Sequence, residues 1–179
     1  MSKTTDRTVS LSGRIDPNRR ETLEDELRVL ARISLKPIKL VINSRGGDTR
    51  EGIHLFHTIK TLGVPVVGVV KSRAASMAVI CLQACERRLA SPHARFLVHP
   101  ITFEVRGVIT NINYEELLRR FEECQEMQKE IYDILTQKTS RPLAEIIELL
   151  NRWETSPSDK EAQLTAKEAL HEGLIDEII

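Results

Sequence analysis

The chain opens with two kinds of hydrophobic spacing. Thr8 to Gly13 alternates apolar and polar residues, which is typical of a half-buried strand. Pro17 and Asn18 then open a segment in which apolar residues recur at helical intervals. These residues are Leu23, Leu27, Leu30 and Ile33. The pattern predicts a strand followed by a helix with one apolar face.

The same order repeats in the next part of the chain. Ile38 to Ile42 is a compact β-branched run, which indicates a buried parallel strand. Thr49 to Leu62 is predicted to be a helix that Gly63 ends, and Val64 to Val70 is predicted to be the next strand. The apolar residues of that helix are Ile53, Phe56 and Ile59. Alternation of strands and helices predicts right-handed crossovers and a largely parallel sheet.

The middle of the chain combines short strands with one long helix. Arg88 to Ala90 and Arg95 to Val98 read as short strands, and Ile101 to Ile109 as another extended, alternating stretch. Asn113 is predicted to cap a helix from Tyr114 to about Lys138. Its apolar side carries Leu117, Leu118, Phe121, Cys124, Met127, Ile131 and Leu135.

The last part of the chain contains a predicted loop between two helices. Pro142 starts the first helix, which runs to about residue 153, and Thr155 to Asp159 is a polar break without apolar periodicity. Thr165 to Glu168 has the pattern of a capping box at the start of the second helix. Gly173 is predicted to stop that helix before a strand from Leu174 to Ile178.

Composition narrows the class of protein. The 179 residues include 26 Lys and Arg and 26 Asp and Glu, so the net charge is zero and no basic stripe offers a nucleic-acid footprint. No run approaches the roughly 18 apolar residues of a membrane span, and no signal peptide is visible, so we expect a cytoplasmic protein without a membrane partner. We predict a disordered N-terminus at residues 1–6 and a single domain over residues 7–179.

Three cysteines give an odd count without metal-type clustering. Cys81 and Cys85 lie four residues apart in an apolar run, and Cys124 lies in the long helix. We interpret them as core thiols and not as nucleophiles, because a reactive thiolate needs an electropositive setting. No metal site and no cofactor are predicted.

Three segments carry candidate chemistry. The first is Asn43-Ser44-Arg45-Gly46-Gly47-Asp48, the second is Arg73-Ala74-Ala75-Ser76-Met77-Ala78, and the third is the strand Phe96-Leu97-Val98 that leads into His99-Pro100. A serine hydroxyl needs a base to take its proton, and the oxyanion it creates needs backbone N–H donors. Each segment also has a plainer reading: a helix N-cap serine, a glycine turn and a structural histidine.

The order and context of these segments resemble the Clp protease proteolytic subunit, a serine peptidase that encloses its active sites. Ser72 to Ala78 resembles the family's Gly-x-Ala-Ala-Ser-Met-Gly, and Ile42 to Gly47 resembles Ile-Asn-Ser-Pro-Gly-Gly. His99 resembles the histidine of the family's strand-His-Gln-Pro, one residue shorter here. The resemblance implies the following roles. They are Ser76 as nucleophile, His99 as general base, and the N–H groups of Gly47 and Met77 as the oxyanion hole.

The chain departs from the family pattern at three positions in these motifs. Ser72 and Ala78 stand where the family has glycine, and Arg45 stands where it has proline. The family also places an aspartate a few residues before the residue that caps the penultimate helix. Counting back from Thr165, Glu161 holds that position and Asp159 lies two residues earlier. Glu161 is the first choice for the triad acid and Asp159 the second, and a reading of both as solvated loop charges stays open.

The resemblance also implies an architecture and an activity. The fold would be α/β and crotonase-like, built from βα repeats, with residues 101–138 as a protruding handle strand and helix. The activity would be cleavage of peptides or unfolded proteins inside a homo-oligomeric ring, a heptamer that can stack as a tetradecamer. An AAA+ unfoldase partner has less support, because the chain begins almost directly with the first core strand.

A second function is compatible with the same motifs. The chain would be a non-catalytic ring subunit, kept for assembly beside an active paralogue. The replaced glycines and the altered triad acid favour that alternative. The retained Ser76 and His99 favour an active enzyme.

Overall fold

A mostly parallel sheet forms the centre of the protein. The computed structural model describes residues 6–102, 114–155 and 163–179, without the side chains of 153–155. The strands are β1 (Thr8–Ile15), β2 (Ile38–Gly47), β3 (Val66–Ala75), β4 (Arg87–Ala90), β5 (Arg95–Leu97), β6 (Leu164–Thr165) and β7 (Glu177–Ile178). The helices are α1 (Pro17–Ile33), α2 (Thr49–Lys60), α3 (Met77–Gln83), α4 (Tyr114–Thr139), α5 (Leu143–Thr155) and α6 (Ala166–His171).

The strand order confirms the predicted parallel sheet. The main path runs β1-β2-β3-β4-β7, and every neighbouring pair on it is parallel. The first half of β3 pairs with β4 and its second half, from Arg73 to Ala75, pairs with β5. Strand β6 adds to β5 in the antiparallel sense. The sheet therefore has a second edge beside the end of β3, which the sequence did not predict.

Two strands are longer than predicted. Strand β2 continues past Ile42 to Gly47, and β3 continues past Val70 to Ala75. Both strands continue past their apolar runs because backbone pairing with neighbouring strands continues. On β2, for example, Asn43 lies opposite Ser12 of β1. The first motif thus forms the end of β2 up to Gly47, and the second runs from the end of β3 at Ala75 through Ser76 into α3.

Most of the helices contribute one apolar face to the core, whereas every residue of α3 is buried. In α1, Asp16 is the N-cap and its carboxylate accepts from the Arg19 N–H at 2.8 Å. Leu23 and Leu27 are fully buried, as their spacing predicts, whereas Ile33 is 61% exposed because the helix ends there. The predicted capping box of Thr165 and Glu168 at the start of α6 is confirmed.

Helix α4 has two different halves. Its bounds agree with the predicted helix, and its C-terminal half buries Ile131 and Leu135 in the core. The N-terminal half exposes a stripe of apolar side chains. These are Tyr114, Leu117, Leu118 and Phe121, each at least 40% exposed. Asn113 and most of the predicted strand before it lie outside the described residues, so the handle and domain boundaries stay predictions.

The burial of α1 generates a stability prediction. Leu23→Ala removes a fully buried side chain and should lower the free energy of unfolding by about 2–5 kcal/mol, measured by urea denaturation. Val29→Ala on the same helix is the control, because Val29 is 55% exposed and its loss should change stability by about 0.5 kcal/mol or less. Equal losses for both variants would contradict this packing.

Candidate active site

The carboxyl ends of β2, β3 and β5 converge on one cavity of about 810 Å³. The predicted site residues within the described chain all line it. They are Gly47, Ser76, Met77 and His99, and Gly46 from the same motif as Gly47 lines the cavity too. Residues from three separate motifs, up to 53 positions apart in the sequence, are therefore brought to one place.

Ser76 lies in a strained turn between β3 and α3. Its φ is 54° and its ψ is −129°, an unusual conformation for a residue other than glycine. It occupies the N-cap position of α3, but its side chain makes no capping hydrogen bond. The backbone is held instead, since the Ser76 N–H donates to the Leu97 carbonyl at 2.7 Å. The plain N-cap reading therefore does not describe Ser76, and its side chain borders the cavity.

Gly46 packs directly against that turn. A Cβ at Gly46 would lie 2.5 Å from the Ala75 carbonyl oxygen and 2.8 Å from the Ser76 Cβ, and φ at Gly46 is +82°. Any larger residue would displace the serine. The Gly46 N–H donates to the Ser44 hydroxyl at 3.0 Å, and that hydroxyl donates to the Gly13 carbonyl at 2.6 Å. The Gly46 N–H therefore already has a hydrogen-bond acceptor, on the side that faces β1.

The next amide along the chain is that of Gly47, which lines the cavity at the end of β2. The Asp48 N–H that follows donates to the Ile15 carbonyl on β1 at 2.8 Å. The Met77 N–H is the first of helix α3 and has no partner within the helix. The two amides flank the cavity at Ser76.

His99 follows β5 and is half-buried. Its Nδ1 lies 2.7 Å from the Pro100 carbonyl oxygen. A carbonyl only accepts hydrogen bonds, so Nδ1 carries the proton and the neutral ring keeps its lone pair on Nε2. That is the tautomer in which a histidine removes a proton from a serine.

Gln128 on α4 is a site residue that the sequence did not reveal. Its Oε1 accepts the Ile101 N–H at 2.6 Å. The peptide between Pro100 and Ile101 is therefore fixed from both sides, by Gln128 at its N–H and by His99 at its carbonyl. The Gln128 Nε2 is buried without a hydrogen-bond partner among the described residues. No sequence pattern marks a contact between residues 27 positions apart.

The triad acid cannot be located in the same way, because Glu161 and Asp159 lie outside the described residues. The nearest described element is β6, which pairs antiparallel with β5. Thr165 lies opposite Arg95, and Leu164 lies opposite Phe96. At β6 the chain therefore comes back to lie beside β5, the strand that leads to His99.

The cysteines are not part of the site. Cys81 and Cys85 are fully buried, and burial raises the pKa of the Cys85 thiol to about 12 and also raises the pKa of Cys81. Both remain protonated at neutral pH, which confirms that they are core thiols. Cys124 is half-buried.

Metal binding and membrane insertion also bear on the class of protein. Among the described residues, no three or more His, Cys, Asp or Glu side chains cluster in a way that could hold a metal ion. Within residues 6–102, 114–155 and 163–179, no helix is both long and apolar enough to cross a membrane.

Comparison with known proteins agrees with the geometry. The Clp protease family model matches residues 2–179. An ATP-dependent Clp protease proteolytic subunit of Bacteroides fragilis is 30% identical, over 97% of this chain and 79% of the relative. The ATP-dependent Clp protease proteolytic subunit 3 of Rhodococcus jostii is 29% identical, over 97% of this chain and 81% of the relative.

Solved structures give the same result. A ClpP1 mutant from Listeria monocytogenes superposes with a TM-score of 0.81 at 25% identity, covering 97% of this chain and 91% of that one. The resemblance seen in the motifs and the predicted fold are both confirmed. The chain belongs to the Clp protease family.

Proposed function

We propose that this chain is a serine endopeptidase of the Clp proteolytic subunit type, acting on peptides or unfolded proteins through an acyl-enzyme on Ser76. The observation that carries the proposal is the strained turn at Ser76, which borders the same cavity as His99 and the two amide donors. A backbone held in an unfavourable conformation, without a cap to compensate, is typical of a nucleophile presented at a strand-to-helix turn.

The reaction begins when the Nε2 of His99 takes the hydroxyl proton of Ser76. The Ser76 Oγ forms a bond to the substrate carbonyl carbon, and the electron pair of the C=O bond moves to oxygen. The N–H groups of Gly47 and Met77 donate to this oxyanion, and one such donor contributes about 3–4 kcal/mol to transition-state stabilisation.

The intermediate then collapses and the peptide bond breaks. The His99 imidazolium gives its proton to the leaving amine, and the acyl group stays on Ser76. A water molecule, deprotonated by His99, attacks the acyl carbon in the second half of the cycle. The second product leaves as a carboxylic acid, and Ser76 regains its proton.

We assign the triad acid to Glu161, ahead of Asp159. The sequence supports this order, since Glu161 holds the family position of the triad aspartate when residues are counted back from Thr165, the residue that caps α6. The Glu161 carboxylate would stabilise the imidazolium that forms during proton transfer.

Gln128 is a positioning residue in this scheme. It acts through the peptide group between Pro100 and Ile101. The Pro100 carbonyl of that group accepts from His99 Nδ1 and so holds the His99 tautomer, and Gln128 bonds its N–H. A trans peptide is planar, so a hydrogen bond that fixes its N–H also fixes the direction of its carbonyl.

A homo-oligomeric ring is the second part of the proposal. The apolar stripe at the start of α4 follows the i, i+3, i+4, i+7 spacing of one helix face. An exposed stripe of this kind indicates a protein–protein contact. The family suggests a heptamer, alone or stacked in pairs.

The first prediction separates an active enzyme from a non-catalytic ring subunit. The wild type should react with a fluorophosphonate probe, because only an activated serine attacks phosphorus. Ser76→Ala should abolish labelling and peptide hydrolysis, and His99→Ala should lower the rate about 10³-fold or more. Ser72→Ala, four residues earlier on β3, is the control and should keep its labelling. A wild type that neither reacts nor cleaves would support the non-catalytic alternative.

The second prediction concerns Gln128. Gln128→Met removes the acceptor of the Ile101 N–H and should lower kcat about tenfold with little change in KM, because substrate contacts stay intact. Gln128→Glu keeps an Oε1 acceptor and should restore most of kcat. Gln125→Met, at an exposed position of the same helix, should behave as wild type. Equal kcat in Gln128→Met and wild type would remove this role.

The third prediction concerns the ring. Sedimentation velocity at micromolar concentration should show the mass of seven or fourteen subunits. Phe121→Glu places a charge in the apolar stripe and should shift the protein towards smaller species, whereas Gln125→Glu should not. A wild type that sediments only as a monomer would rule the ring out.

A further inference from the structure

Among the described residues, the charged side chains that border the cavity are all positively charged. Arg14, Arg45, Arg73 and Arg95 line it, and no described lining residue is Asp or Glu. The whole chain has equal numbers of cationic and anionic residues, 26 of each. The four arginines also come from separate segments, at the ends of β1, β2 and β3 and the start of β5. The positive charge is thus concentrated at the site and is not a property of the whole surface.

Among the described residues, these arginines form none of the salt bridges that other arginines of this protein form. Arg20 bonds Glu24 at 3.0 Å, Arg141 bonds Glu145 at 2.7 Å, and Arg88 pairs with Asp176. Among the described residues, none of the four cavity arginines takes part in a salt bridge. These four are Arg14, Arg45, Arg73 and Arg95.

Two of the cavity arginines are direct neighbours. Arg73 on β3 and Arg95 on β5 are register partners. Adjacent strands lie about 4.8 Å apart, so two like charges project from neighbouring positions. Such a pair costs stability by repulsion. A carboxylate placed between two guanidinium groups removes that repulsion and accepts paired hydrogen bonds from each.

We propose that the cleft selects peptides that carry carboxylates close to the scissile bond. This inference rests on the proposed peptidase function and names its substrate class. Arg73 lies three residues before Ser76, and Arg45 directly precedes Gly46, so both arginines belong to the motifs that border the cavity at Ser76. A triad acid at Glu161 or Asp159 would offset one charge, and the described lining residues would still carry three more. A cationic cleft raises the local concentration of anionic ligands.

The carboxylate of a peptide has two sources, an Asp or Glu side chain and the free C-terminus. Both have the planar geometry that a guanidinium fork binds. Four arginines spread over the ends of three strands and the start of a fourth can contact more than one carboxylate of the same peptide.

The test compares matched quenched fluorescent peptides. One pair differs only by Glu or Gln at the residues flanking the scissile bond, and a second pair differs only by a free or an amidated C-terminus. For the wild type, kcat/KM should be about tenfold higher for the peptide with the added carboxylate in at least one pair. The ratio should fall as salt is raised from low to high ionic strength. A higher kcat/KM for the carboxylate-bearing peptide in only one pair identifies the source of the carboxylate. A ratio of kcat/KM values near one in both pairs overturns the inference.

Two variants test whether the preference for carboxylate-bearing peptides comes from the cavity arginines. Arg73→Gln with Arg95→Gln should bring the ratio close to one. Arg32→Gln removes an exposed arginine of α1 that does not line the cavity, and should keep the wild-type ratio. An unchanged ratio in the Arg73 and Arg95 double variant would overturn the assignment to these residues.

A binding measurement separates a failure of this inference from a failure of the proposed peptidase function. Fluorescence anisotropy of the same labelled peptides on Ser76→Ala protein reports affinity without cleavage. If the wild type does not react with the fluorophosphonate probe but still binds the carboxylate-bearing peptides about tenfold tighter, the peptidase function fails and the ligand class stands. If it reacts and cleaves with no preference, the function stands and the ligand class fails. Absence of binding to every peptide also overturns the ligand class.

Discussion

Strand β3 changes partner halfway along its length, and the site depends on that change. Its first half pairs with β4 and its second half with β5. The pairing with β5 ends in the 2.7 Å hydrogen bond from the Ser76 N–H to the Leu97 carbonyl. Because β5 leads to His99, one backbone contact fixes the positions of Ser76 and His99, the nucleophile and base of the proposed mechanism, relative to each other. The strain at Ser76 persists because these surrounding hydrogen bonds determine the turn.

Close backbone packing supplies the rest of the geometry. Gly46 contacts the serine turn and Gly47 contacts Ile15, at distances that leave no room for a Cβ. Gly52 on α2 is similarly close to the Met77 side chain. Helix α3, both glycines and the end of β1 therefore pack closely around the amides of Gly47 and Met77. Preorganised donors lose no free energy to rearrangement during a reaction, so this close packing would benefit the proposed oxyanion hole.

The spacing of apolar residues predicted most of the fold because it reflects which positions are buried in the core. The runs Ile38–Ile42 and Val64–Val70 indicated central strands, and the sheet is parallel as their alternation with helices suggested. Spacing could not show that β2 and β3 continue into polar residues, nor that the two-residue strand β6 exists, because their pairing involves backbone groups. The site residues followed from a resemblance in motifs. Gln128 did not, because its contact depends on where α4 crosses the sheet end.

The buried thiol of α3, Cys81, gives this protein an internal probe of local opening. Cys81 lies four residues after Met77, is fully buried, and stays protonated because burial raises its pKa. A thiol reagent reaches Cys81 only when α3 separates from its neighbours, which also disturbs the turn at Ser76. The alkylation rate of Cys81, compared with that of the half-buried Cys124, therefore reports how often the region around the serine turn opens. Reagents that modify cysteine would report the integrity of a site that contains no cysteine.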